Sequence, residues 1–172
     1  YQIHKSLNNQ LNLGYALLNR GGAQWNLGHQ KEASTDMEQA SDIAKKDDAS
    51  YKLLHVAIEL AQAEMALSER RFSDVIADAD RAFEIGGSQS KTASAQGKFL
   101  KGLAQALSGK GRDGQVLCRE AVTLAAVVGD PMLSAEAQLA LAEASLAAGD
   151  AKSALEAAQQ AQNFFTNSGM TE

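Results

Sequence analysis

Proline is almost missing from this chain, with one residue in 172, and aromatic residues make up only 5%. So few backbone breakers, with much alanine and no β-branched runs of strand length, argue against a strand-built fold and predict an all-helical protein. Cysteine is as scarce. The lone Cys118 cannot form an internal disulfide, so the sequence gives no sign of an oxidising compartment. No apolar run approaches ~18 residues, which leaves no membrane-spanning helix to place. No basic region followed by an apolar core marks a signal peptide. The chain opens on Tyr1 and not on Met. We therefore read it as an excised piece of a longer protein, with a cytoplasmic location as the expectation.

An excess of positive charge is also missing. The formal net charge is −5 and the isoelectric point is near 5.2. That balance argues against a nucleic-acid partner, which usually recruits a basic surface. The acidic residues are spread along the chain and read as a solvated surface.

What the sequence does contain is a repeat. A small residue is followed twelve positions on by another, and seven further on by alanine, as in Ala142, Ala154 and Ala161. The same triplet recurs as Gly102, Gly114 and Ala121, as Ala63, Val75 and Ala82, and as Gly21, Ala33 and Ala40. A large apolar column keeps step with it through Leu18, Leu60, Phe99 and Leu139, and another through Trp25, Leu67, Ala106 and Leu146. Spacings inside each unit are constant while the period drifts between 39 and 42, so length changes fall between units, as in a repeated supersecondary element.

Each unit reads as two helices. The first helices are expected at 10–27, 51–69, 91–108 and 131–148, and the second at 31–45, 73–85, 112–128 and 151–165. The four units, 10–46, 51–86, 91–129 and 131–167, form a single domain spanning 1–172. Residues 1–9 either extend the first helix or end an earlier one. Asp130 before Pro131, Asp150 after Gly149, and Ser73 are the expected N-caps. Helices pack ~8–10 Å apart and approach closely only where side chains are small, so the small columns mark helix crossings. Glycine inside a helix costs ~1 kcal/mol relative to alanine, and Gly21 and Gly102 need such a crossing to justify them. One hairpin cannot bury both its faces, but stacked hairpins can.

Helix pairs with this small–twelve–small–seven–Ala spacing resemble tetratricopeptide repeats. The segments LALAEASLAAGDAKSALEAAQQAQ and NRGGAQWNLGHQKEASTDMEQASDIA look most like the family pattern. Val75 and Gly114 stand where the family usually has alanine. The periods exceed the family's usual length and look like the longer-helix variants of bacterial regulators and peptide sensors. The resemblance covers about residues 10–167. It implies an all-α array of four hairpins stacked in a right-handed superhelix, whose concave groove binds extended peptides or helices of other proteins. One subclass grips a C-terminal carboxylate with Lys and Asn from consecutive first helices. That clamp does not map here, because the counterparts of Asn19 are Ala61 and Leu100.

In such an array one stripe of each first helix stays open. A persistently polar stripe runs through Arg20 and Gln24, then Glu59 and Gln62 with Lys52 and His55, then Lys98, Lys101 and Gln105, then Gln138. We expect this stripe to line the groove; the competing reading is an ordinary solvated helix face. Lys98 and Lys101 would meet an acidic ligand.

Other residues read more plainly. His4, His29 and His55 show no metal-ligand spacing, and no metal or cofactor is expected. Cys118 follows QVL on a second helix, facing as Ala121 does, and reads as a buried thiol. GKGRDG, residues 109–114, lacks the strand and the terminal GK[ST] of a phosphate loop and reads as a turn within a unit. Asp78 and Asp80 lack the central glycine of a calcium loop. Trp25 belongs to a large apolar column and is expected in the core. Phe164 and Phe165 are expected to cover an interface.

The sequence thus predicts a non-catalytic protein–protein interaction scaffold, since no acid, base and nucleophile share a face. The alternative is a ligand-responsive sensor segment of a bacterial transcription factor or kinase-linked regulator. A third reading, an RNA-reading repeat, conflicts with the acidic balance. The expected partner is a protein or peptide, with no membrane, and the chain a monomer or a weak homodimer through its terminal repeats.

Overall fold

The computed structural model describes residues 2–46, 48–87 and 89–167. Asp47, Ser88 and the residues after Asn167 lie outside it, as does the side chain of His4. The described residues are helical, in eight α-helices joined by short turns: α1 (Gln2–Asn26), α2 (Gln30–Ala44), α3 (Ala49–Ser68), α4 (Phe72–Ala82), α5 (Lys91–Leu107), α6 (Gly111–Val128), α7 (Pro131–Ala147) and α8 (Ala151–Asn167). The first residues extend α1 rather than ending another element. A π-helical turn, Phe83–Gly87, prolongs α4.

Helices pack in sequence as four antiparallel pairs. Each of α1, α3 and α5 also touches the first helix of the next pair, and each of α2, α4 and α6 touches that same helix. Among the described residues no second helix touches another second helix. The first helices therefore form a continuous layer, backed by second helices held apart from one another.

The corners inside the pairs are one structure used four times. Gly28, Arg70, Gly109 and Gly149 take the left-handed conformation, with φ of 83°, 59°, 98° and 77°. At each, the following amide donates to the carbonyl five residues back, as His29 to Gln24, Arg71 to Ala66, Lys110 to Gln105 and Asp150 to Ser145. The left-handed residue itself donates three residues back. These paired bonds are a Schellman motif, which satisfies the last carbonyls of the helix. Arg70 adopts without glycine a conformation that costs an L-residue about 1 kcal/mol.

Three caps were unequally legible. Asp130 accepts from the amides of Met132 and Leu133 with Pro131 in the first turn, and Asp150 accepts from Ser153. Ser73 is not a cap. Helix α4 begins at Phe72, because the left-handed Arg70 turns the chain so early that Ser73 already sits in the first turn. Asp48 and Ser90 cap α3 and α5.

The small columns are the packed interior. Gly21, Ala63, Gly102 and Ala142 are buried, as are Ala33, Val75, Gly114 and Ala154 and the four alanines Ala40, Ala82, Ala121 and Ala161. The tightest crossing joins α5 and α6. A Cβ on Gly102 would stand 2.9 Å from the carbonyl oxygen of Gly114, and one on Gly114 only 2.3 Å from that of Gly102. GKGRDG is accordingly a turn only as far as Lys110, its last glycines being part of α6. The large columns fare differently along the chain. Leu60 and Phe99 are buried by the next pair, whereas Leu139 and Leu146 are exposed. Trp25 is half-buried, and its indole N–H donates to Ser68 at 3.2 Å. Phe164 and Phe165 are half-buried and stack edge to face, 5.3 Å between centroids.

Candidate functional site

The polar stripe of the first helices is brought against the second helices. Glu59 on α3 accepts from Arg81 on α4 at 2.9 Å, Lys98 on α5 donates to Glu120 on α6 at 2.5 Å, and Gln138 on α7 donates to Gln160 on α8 at 2.6 Å. Each bond links residues 22 apart, so it is the same clasp in three successive pairs. In the first pair Leu17 takes the column position, and the clasp shifts one turn along: Arg20 grips Asp36 through Nε and Nη2 at 2.7 and 2.6 Å. The Arg20 guanidinium holds the Asp36 carboxyl below its ordinary range. Lys101 donates to Asp80 at 2.6 Å and so ties α5 to α4 of the preceding pair. His55 lies 3.3 Å from Glu59, whose carboxylate is buried within this network.

The remaining predicted residues go elsewhere. Gln62 borders a cleft of about 390 Å³ with Trp25, Met37 and Met65, where Arg71 and Arg81 are already engaged by acidic neighbours. Gln24 is half-buried, and its Oε1 has no hydrogen-bond partner. Gln105 is half-buried, and its carbonyl accepts the corner bond from Lys110. Lys98 and Lys101 also edge a cavity of about 220 Å³ beside Phe83. Reversing both lysines would set like charges against Glu120 and Asp80, so they hold the packing of α5.

Another opening lies along the first helices themselves. A cleft of about 450 Å³ is formed by α1, α3 and the start of α5, with no second-helix residue in its lining. That volume falls in the range of ~300–1,000 Å³ typical of ligand pockets. Its walls are small and apolar: Leu18 and Ala23, Leu53, Ala57 and Leu60, and Ala93. Asn19, Ser90, Thr92 and Gln96 add polar edges, and Glu64 is the one ionisable group in the lining. None of the eight predicted residues lines this cleft.

Glu64 stands on α3 opposite Gln96 of α5, whose side-chain amide donates to it at 2.7 Å. Water reaches the carboxylate, but the surrounding walls desolvate it and push its pKa up against the smaller, opposite effect of Gln96. One repeat beyond Gln96, Glu136 on α7 is also raised, first by desolvation and then by the charges of Glu64 and Asp130. Sequence reasoning missed this site because its lining is mostly alanine and leucine. The legible trace was the column Ala57, Gln96 and Glu136, which changes from apolar to acidic along the array.

The other candidates acquire structural roles. Cys118 is fully buried, and desolvation, helped by the charge of Glu143, pushes its thiol to about 12, so it stays protonated at neutral pH. Gln115 is buried and bridges units three and four, donating to Ser145 at 3.0 Å and to Asp150 at 2.9 Å. Among the described residues no three His, Cys, Asp or Glu side chains converge as metal ligands would. Among them too, no helix is long and apolar enough to cross a membrane. No protein-family model matches the chain, and no curated protein matches it.

Proposed function

We propose that the protein is a non-catalytic interaction module, a tetratricopeptide-like stack of four hairpins that holds an extended segment of another protein against its first helices. The observation that carries this reading is the 450 Å³ cleft spanning α1, α3 and α5. Three features support it. A layer whose neighbours touch, backed by one whose neighbours do not, favours curvature with the touching layer inside, and the cleft is lined by helices of the touching layer. The lining is mainly apolar with a few polar groups at fixed points, the usual make-up of a recognition site. The polar side chains of the neighbouring seam are engaged with one another in clasps.

The test is to plug the cleft. Gly22 lines it, and a Cβ there meets nothing within 4 Å, so Gly22→Trp fills space without a built-in clash. Peptides selected from a displayed random library on the intact chain are expected to bind wild type and to lose binding to Gly22→Trp, with the helical circular dichroism unchanged. Ala57→Trp, on the opposite wall, is expected to do the same. Selected peptides that bind the plugged variants as well as wild type, or a selection that yields no binder, would overturn the reading.

A further inference from the structure

The far side of the fourth pair repeats an interface that the second pair uses inside the molecule. In the repeat register, Leu139, Glu143 and Leu146 of α7, with Leu155 and Ala158 of α8, stand where the second pair has Leu60, Glu64, Leu67, Ile76 and Ala79. Four of these five residues are the same, and the fifth exchanges Ile for Leu. The third pair, with Phe99, Leu103, Ala106, Gln115 and Cys118, shares none of them.

In the second pair this face is covered by α5. A Cβ on Gly97 would meet Leu60 Cδ2 at 3.6 Å and the carbonyl oxygen of Ala79 at 3.7 Å. The side chain of the preceding residue, Gln96, donates to Glu64 at 2.7 Å. Under this helix Leu60 and Ala79 are 4% and 3% exposed. The fourth pair has no such cover: among the described residues α8 touches α7 alone, and α7 otherwise touches only α5 and α6 of the preceding pair. Leu139, Leu146 and Leu155 are accordingly 46%, 65% and 60% exposed. Three leucines in one register on two adjacent helices form the apolar surface that a helix like α5 buries.

A second copy of the chain is poorly made to supply that helix. Where α3, α5 and α7 bury Leu54, Leu100 and Leu133, α1 carries the exposed Asn12 and Asn19. Head-to-tail stacking would therefore bury amides against leucine. Two end faces set together fare no better. A two-fold match of Leu139 with Leu146 of the second copy brings both Glu143 carboxylates to its centre, and like charges so placed repel.

We propose that the α7–α8 end face is a docking site for an amphipathic helix of another protein that presents the face of α5. Glycine or alanine would lie over Leu139, with leucine three residues on and alanine four further, as in Gly97, Leu100 and Ala104. Glutamine just before the small residue would meet Glu143, as Gln96 meets Glu64. This is a second site, separate from the cleft between α1, α3 and α5.

The probe is the chain's own α5 as a synthetic peptide, Ser90–Leu107, labelled and held helical by a staple on the face opposite Gly97. The staple is needed because an isolated helix of this length is marginal in water. Fluorescence anisotropy on the intact chain is expected to show saturable binding, about tenfold or more weaker in Leu139→Gln and in Leu146→Gln. Both side chains are exposed, so neither change removes packing from the core. In the peptide, Leu100→Gln should weaken binding, as should Gln96→Glu, which sets a carboxylate against Glu143. Gly22→Trp, which fills the cleft, should bind the peptide as wild type does. No saturable binding, or binding that Leu139→Gln and Leu146→Gln leave unchanged, would overturn the inference. Sedimentation velocity adds a check on the occupant: a monomer is expected, and a wild-type dimer that Leu146→Gln disperses would give the face to a second copy instead.

Discussion

Two crossings in the array solve the packing problem in opposite ways. Between α5 and α6, Gly102 and Gly114 bring two backbones together with no side chain between them, and Cys118 fills the space beside them. Between α1 and α3 a side chain does the spacing: a Cβ on Gly14 would lie 2.4 Å from Leu54 Cδ2, so Leu54 fills the space a glycine leaves. The interior divides accordingly. A small cluster of Leu17, Ala40, Ala44, Leu54 and Ile58 serves the first two pairs, and a larger one runs from α3 to α8. Close backbone contact leaves no room for a ligand, whereas side-chain spacing lets the first helices stand apart. The cleft lies at the side-chain-spaced end. One repeat pattern therefore yields both a close crossing and a looser one, according to the size of a few residues.

The sharpest way to break this comparison is to shrink the spacer. Leu54→Ala removes a fully buried side chain from the small cluster and should cost about 2–5 kcal/mol. Hydrogen exchange should then show α1 and α2 losing protection ahead of α5 to α8; uniform loss of protection would mean that the two clusters act as one. At the close crossing, Gly114→Ala should cost about 1–3 kcal/mol in urea unfolding, because the obstructing atoms are backbone and cannot swing aside. Its counterpart is Gly22→Ala, the same chemical change inside a helix but beside the cleft with open space around it. It should stabilise by about 0.5–1 kcal/mol. Finding the same sign for both glycines would remove the distinction between the two regions.

The smallest effect concerns the cleft's carboxylate. Burial raises the Glu64 pKa above its unfolded value, so its favourable contribution is complete below the unfolded pKa and is lost as pH rises through the folded one. Glu64→Gln keeps the neutral form at every pH. Its Tm should exceed that of wild type slightly at neutral pH, and the gap should close on acidification. A gap that widens on acidification would mean that Glu64 is stabilised as the anion.

The fold was readable because its requirements are steric and periodic. A close crossing tolerates only small side chains, so Gly102, Gly114 and Ala121 announce themselves at fixed spacing wherever they lie in the chain. The helix starts at Pro131 and Ala151 were likewise marked by Asp130 and Asp150. The turn around Arg70 was legible, but the start of α4 was expected at Ser73 and lies at Phe72, because nothing in an arginine signals a left-handed backbone. The cleft was hidden for a different reason. Polarity in a helical sequence marks any side chain with a polar partner, and Arg20, Glu59, Lys98 and Lys101 find theirs inside the molecule. A surface of alanine and leucine that opens around one glutamate leaves no comparable mark. Its existence depends on how far apart the helices stand.

A chain built from like hairpins must still pair the right neighbours as it folds, and the clasps between first and second helices bear on that choice. They share one register but not one chemistry: acid to base in Glu59–Arg81, base to acid in Lys98–Glu120, amide to amide in Gln138–Gln160. A mistaken union of α3 with α6 would set Glu59 against Glu120, and one of α5 with α4 would set Lys98 against Arg81. The two charged clasps thus act as address labels, each admitting its own partner and repelling the other's.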